Sequence, residues 1–190
     1  MFIQTETTPN PATLKFLPGR TVLDSGPADF RSPDEAEGSP LAQRLFAIPG
    51  VSGVFFGYDF VTITKEGEDA DGFDWAHLKP AILGALMEHF MSGQPVMAAD
   101  GELPADGEEF FEDDDSEIVT TIKELLETRV RPAVAQDGGD ITFRGFREGI
   151  VYLHMKGACA GCPSSTATLK HGIQNLLRHF IPEVQEVEAV

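Results

Sequence analysis

Apolar positions recur at two periods along this chain, and the changes of period mark its elements. Residues 2–7, Phe-Ile-Gln-Thr-Glu-Thr, have the composition of a β-strand, and the two prolines of Thr8-Pro9-Asn10-Pro11 end it in a turn. Leu14-Lys15-Phe16-Leu17 and Thr21-Val22-Leu23 predict the next two strands, on either side of Pro18-Gly19. A short helix is predicted over 40–46 and is ended by Pro49-Gly50. Residues 51–56 and 60–64 then flank Gly57-Tyr58-Asp59 as the arms of a β-hairpin. Leu78, Ile82, Leu83, Leu86 and Phe90 follow three- and four-residue spacing, so 75–92 reads as a helix with one apolar face. His77 and His89 on that helix read as surface or boundary positions.

The second half repeats none of this pattern. Ile118, Ile122, Leu125, Leu126 and Val130 form a helical stripe that runs toward Arg131-Pro132, and Gly138-Gly139 supplies the exit turn. Residues 141–144 and 150–155 alternate around Glu148-Gly149 as a second hairpin. Helical spacing returns at Leu169, Ile173, Leu176, Leu177 and Phe180, is stopped by Pro182, and leaves 184–190 as a final strand. The order is α-β-β-α-β. Between the halves, residues 98–109 combine Gly, Pro and charge without either period. The expected fold is α+β: two small sandwich-like α/β domains, residues 1–96 and 116–190, joined by an acidic flexible linker over 97–115.

Charge sharpens that division. The formal net charge is −17, and residues 97–117 hold ten acidic side chains and no basic one. Self-repulsion there favours an extended, solvated chain, which Phe110 and Phe111 interrupt as a local anchor onto a neighbouring domain. Asp113-Asp114-Asp115-Ser116 suits the positive end of the helix that follows. Nucleic acid is excluded as a partner because no basic face exists to meet phosphate. No run approaches the ~20 apolar residues of a membrane span, and the first residues lack the features of a targeting segment. The expected location is therefore cytoplasmic.

The chemistry concentrates in Cys159-Ala160-Gly161-Cys162-Pro163, which holds the only two cysteines. An iron–sulfur cluster or structural zinc takes four protein ligands, so two thiolates per chain leave a metal site half complete. Pro163 suits the first position of a helix, which would place free N–H groups beside Cys162 and stabilise anionic sulfur. Gly157, Ala158, Ala160 and Gly161 permit a tight loop with both sulfurs outward. A dithiol redox pair is the competing chemistry, but its usual βαβ setting is missing. Zinc would need His154 or His171 to join the sulfurs, and neither has the paired spacing of a finger. A third class, an adaptor with a secondary metal site, also remains open. No hydrolase constellation or phosphate loop is present, so an enzyme is not expected.

Residues 136–140, Gln-Asp-Gly-Gly-Asp, and 157–165, Gly-Ala-Cys-Ala-Gly-Cys-Pro-Ser-Ser, resemble the NifU C-terminal (Nfu) domain. Residues 8–16, Thr-Pro-Asn-Pro-Ala-Thr-Leu-Lys-Phe, with Ile48-Pro49-Gly50-Val51, resemble the Nfu N-terminal domain. The resemblance implies an iron–sulfur scaffold or carrier that holds a 4Fe-4S cluster between two protomers and hands it to apo-proteins. It implies Cys159 and Cys162 as the cluster ligands, a second copy of the chain, client proteins and an upstream cluster donor as partners. Mitochondrial members carry a presequence, so its absence at this N-terminus implies a bacterial, cytoplasmic protein.

Overall fold

The computed structural model describes all residues except 68–73, 104–106 and 161–162, with the side chains of 163–165 also outside the description. The chain divides into two compact units, Met1–Pro104 and Ala105–Val190. Both are α+β.

Unit 1 is a five-stranded antiparallel sheet carrying two helices. Its strands are β1 (Gln4–Thr7), β2 (Thr13–Leu17), β3 (Ala28–Phe30), β4 (Val51–Phe56) and β5 (Val61–Lys65), in the order β1-β2-β5-β4-β3. Alternation along β4 sends Val54 and Phe56 into the core with Phe16, Phe30 and Ile63. Helices α1 (Pro40–Phe46) and α2 (Trp75–Ser92) close that core with Leu41, Leu45, Ile82 and Leu86, all fully buried. Phe55 falls outside this cluster and pairs with Phe60 at 5.9 Å, over which the Lys15 ammonium stands at 4.6 Å.

Three local details differ from the expectation. The segment 21–23 is not a strand: the N–H groups of Val22 and Leu23 both donate to the Tyr58 carbonyl, and Gly26 turns the chain at φ 121° before β3 forms further on. Trp75 Nε1 donates to the Pro11 carbonyl at 3.1 Å and so fastens the start of α2 to the Thr8–Pro11 turn. His89, expected near the surface, is wholly buried beside Phe90, and burial followed by the Arg44 charge pushes its pKa down. His77 does lie outside, bonded to Asp74 at the start of α2.

Unit 2 begins with α3 (Ser116–Leu125), passes through a π-helical segment (Leu126–Val130) into α4 (Arg131–Gln136), and then forms β6 (Gly139–Arg147), β7 (Ile150–Gly157), α5 (Pro163–Phe180) and β8 (Glu186–Ala189). Strands β6 and β7 are antiparallel, and β8 lies parallel to β7 on its other side. Pro132 does not end the helix as its sequence position suggests. The Arg131 N–H reaches back to the Leu126 carbonyl, five residues away, and this wider turn places Pro132 in the first turn of α4, where a missing donor does little harm. The wider turn also keeps Leu126, Val130 and Val134, spaced by fours, buried along one side. No helix among the described residues is long and apolar enough to cross a membrane.

The stretch expected as a free linker is tied at both described ends, each to its own unit. Ala98 N–H donates to the Gly38 carbonyl at 2.9 Å, and Phe110 bridges to Gly145 of β6. Ser39 supports the first tie. Its hydroxyl accepts from Ala42 N–H at 3.1 Å as the cap of α1 and donates to the Val96 carbonyl at 2.6 Å. Replacing it removes a cap and leaves a carbonyl short of a partner, so Ser39→Ala should destabilise unit 1 by about 1–2 kcal/mol. Trp75 is the single tryptophan of the chain, so urea unfolding followed by its fluorescence reads unit 1 directly.

Candidate functional site

Two glycines build the floor on which Cys159 rests. Strand β7 ends at Gly157 with φ 64°, and the next N–H, from Ala158, donates to the Gly138 carbonyl at 3.2 Å. This joins the start of β6 to the end of β7 just before the cysteine loop. A Cβ on Gly139 would lie 2.6 Å from the Cys159 sulfur and 2.7 Å from the Lys156 carbonyl oxygen, so only glycine permits this approach. On the other side, the Thr166 hydroxyl donates to the Cys159 carbonyl at 3.0 Å and fixes the loop to the first turns of α5. Cys162 and Gly161 lie outside the described residues, as do the side chains of 163–165.

Cys159 does not point outward as the small-residue loop suggested. It is 7% exposed and belongs to the core of unit 2. Burial, then the Asp137 and Asp140 carboxylates, push its thiol pKa up to about 12. The cause is the floor itself: the Gly138–Gly139 backbone gives the sulfur an apolar resting place and brings two acidic residues with it. Asp140 is held by Arg131, whose Nε and Nη2 donate to its two oxygens at 2.9 and 2.8 Å, while Arg131 also pairs with Glu127. These hydrogen bonds raise the Arg131 pKa further. The periodicity of the sequence concealed this arrangement, because Gly139 and Cys159 are twenty residues apart. The doubled glycine, one more than an exit turn requires, was the available signal.

The two histidines considered as zinc ligands do not join Cys159. His154 sits opposite Thr142 in the β6–β7 ladder, and His171 is exposed on α5. Among the described residues no three His, Cys, Asp or Glu side chains converge as a metal site.

Sequence comparison fits these features into a known class. Residues 3–93 match the family described as "Scaffold protein Nfu/NifU N terminal", and residues 122–188 match the "NifU-like domain". The human "NFU1 iron-sulfur cluster scaffold homolog, mitochondrial" is 53% identical over 190 residues, covering 100% of this chain and 72% of that protein. "NifU-like protein 4, mitochondrial" of Arabidopsis thaliana is 53% identical, covering 99% of this chain and 65% of its own length. A solution structure of a NifU-like protein from Saccharomyces cerevisiae is 32% identical, covering 53% of this chain and 87% of that one, with a TM-score of 0.45. A two-unit α+β protein with a single CxxC loop is thus a scaffold in design rather than an enzyme. The chain belongs to the Nfu/NifU family of iron–sulfur cluster scaffold proteins.

The expectation of a cytoplasmic protein is overturned by the same relatives, both of which are mitochondrial by name. They extend well beyond the matched stretch, so the character of its first residues carries no information about compartment.

The environment of Cys159 makes a direct prediction. At neutral pH a thiol with a pKa near 12 supplies on the order of a thousandfold fewer thiolates than one at the model value of 9.0. Alkylation of Cys159 in the apo protein, followed by mass spectrometry of the peptide, should therefore be slow at pH 7. The rate should climb as pH rises toward the shifted pKa, and denaturant should abolish the protection.

Proposed function

We propose that this chain carries a 4Fe-4S cluster bound by Cys159 and Cys162 of two copies and delivers it to apo-proteins. The observation that carries this reading is the shortage of ligands. The chain has two thiols, and the described surroundings of Cys159 bring no group of three metal-binding side chains together. Four thiolates from a symmetric pair complete a cubane cluster on the two-fold axis. Soft sulfur is the right donor for iron, and no resident cofactor is needed, since the cluster is cargo.

The buried state of Cys159 suits loading and release. To ligate iron, the sulfur must leave the Gly139 floor and lose its proton, so the apo state competes with the loaded one. Asp137 and Asp140 favour the protonated thiol, and they thereby favour release once a client's cysteines begin to replace the ligands. A site that held thiolates permanently would retain its cargo.

The division of labour follows the two units. Residues 116–190 own both sulfurs and are assigned to cluster binding, residues 97–115 connect, and residues 1–96 are assigned to recognition of clients or of the cluster donor. Limited proteolysis should cut within the connection, and the isolated C-terminal half should still assemble a cluster. Transfer from that half and from the full chain to several apo-proteins should differ for at least one client. Equal transfer to every client, or failure of the half to assemble a cluster, would remove this division.

The ligand assignment has its own test. Anaerobic reconstitution should give ~4 iron and ~4 sulfide per pair of chains, with the apo protein smaller by size-exclusion chromatography. Cys159→Ser and Cys162→Ser should each lose stable cluster while keeping the Trp75 unfolding transition. A fully loaded monomer would contradict the shared site.

A further inference from the structure

The acidic segment that enters unit 2 lies along the outer edge of β6. Phe110 N–H donates to the Arg144 carbonyl at 3.0 Å, and Phe146 N–H donates to the Phe110 carbonyl at 2.9 Å. Phe110 thus pairs in parallel with Gly145, at the point where β6 shifts register against β7. Gly145 makes this possible, because a Cβ there would run into the Phe110 ring. Tyr152 flanks the ring at 5.2 Å between centroids, and the Arg147 guanidinium stands 5.2 Å from it. Glu109 pairs with Lys123, and the backbone of Gly107 rests against the Arg144 guanidinium. The edge therefore offers a glycine notch framed by Lys123, Arg144 and Arg147, and its occupant is an extended acidic segment with an aromatic residue.

That occupant fills the edge only in part. Ahead of Phe110 the segment parts from the sheet and leaves a cavity of about 260 Å³ bordered by Glu109, Lys123, Leu126, Thr142 and Phe143. The Thr142 hydroxyl and Nη1 of Arg144 are buried without a hydrogen-bond partner among the described residues. A buried polar atom left unpaired is unfavourable, so a ligand that supplies an acceptor there binds better than the present occupant.

We propose that the β6 edge is a recognition site for an extended acidic peptide segment of a partner protein, with an aromatic side chain in the Gly145 notch and a carboxylate in the neighbouring cavity. Residues 107–112 are its occupant in cis. Recognition is by addition to the sheet edge: main-chain bonds give affinity, and the notch and basic frame give selectivity. Held by a short tether, the chain's own segment competes at an effective concentration in the millimolar range, so a partner displaces it only by filling the cavity as well. For its biological use the proposal rests on the carrier reading. Strand β6 starts at Gly139, against Cys159, so a partner laid along this edge is guided toward the cysteine loop, ~20 Å from the notch at strand rise.

The test uses full-length apo protein and a fluorescein-labelled peptide with the sequence of residues 107–115, titrated by anisotropy. Phe110→Ala frees the notch, and this variant should bind the peptide about tenfold or more tightly than the wild type does. Adding Gly145→Val should abolish the gain by filling the notch. Because valine could disturb β6, Phe110→Ala with Arg147→Gln provides a milder check, expected to weaken binding about two- to fivefold. A peptide with both phenylalanines replaced by alanine should not bind. The site is overturned if Phe110→Ala binds no better than wild type, or if the Gly145 and Arg147 changes both leave binding intact. Since no cluster is present, a negative result counts against this edge alone, and failure of reconstitution would count against the carrier reading alone.

Discussion

The close passage of the Gly139 backbone beneath the Cys159 sulfur sets the terms for the rest of unit 2. It is possible because Gly139 has no side chain, and it is held by the bond from Ala158 N–H to the Gly138 carbonyl. With the sulfur seated there, Asp137 and Asp140 face a thiol that they keep protonated, and Arg131 must neutralise Asp140 for that carboxylate to be buried. The helical half of the unit is thereby tied to the cysteine loop through one ion pair. Burial of the cysteine, usually a sign of an inert residue, here coexists with a loop rich in small residues that has little bulk to resist movement.

Charge is handled differently in the two halves of the protein. The ten acidic groups of residues 97–117 would repel any compact arrangement of their own. They are accommodated because the segment borrows structure from its neighbours: Gly38 and Ser39 at one described end, the β6 edge at the other. An uncovered edge strand is a hazard for unwanted pairing, and covering it with a charged segment from the same chain removes that hazard in a way that leaves the cover exchangeable.

Wherever one apolar period governs a segment, the sequence was enough to read the fold. The hairpins at 51–65 and 139–157, helix α2 and the final helix and strand all stand where spacing and turn residues place them, because one apolar face decided each. Strand β3 was not legible, since Ala28-Asp29-Phe30 is too short to show alternation and its strand character comes only from pairing with β4. The π segment was hidden for a related reason: Pro132 is a local stop signal, and only tertiary packing of Val130 and Val134 overrides it. His89 lies on the apolar face of α2, where its polarity argued for the surface and its neighbours Leu86 and Phe90 decided for the core. The cysteines could be singled out because they are the only thiols. Their surroundings could not, because Gly139, Asp140 and Arg131 reach Cys159 through strand pairing rather than through proximity in the chain.

The π-helical segment before α4 has a geometric consequence of its own. In an ordinary helix each residue turns the chain by about 100°, so apolar residues spaced by fours drift around the axis. The wider turn over Leu126–Val130 absorbs that drift, much as a leap day realigns a calendar with the seasons. Its effect is felt at a distance: the same correction that keeps Val134 on the core side also brings the Arg131 fork round to Asp140. The helix is thereby sensitive to indels as well as to substitutions. A deletion of one residue in this stretch would leave a perfectly good helix and still swing everything after it out of phase with the strand it serves.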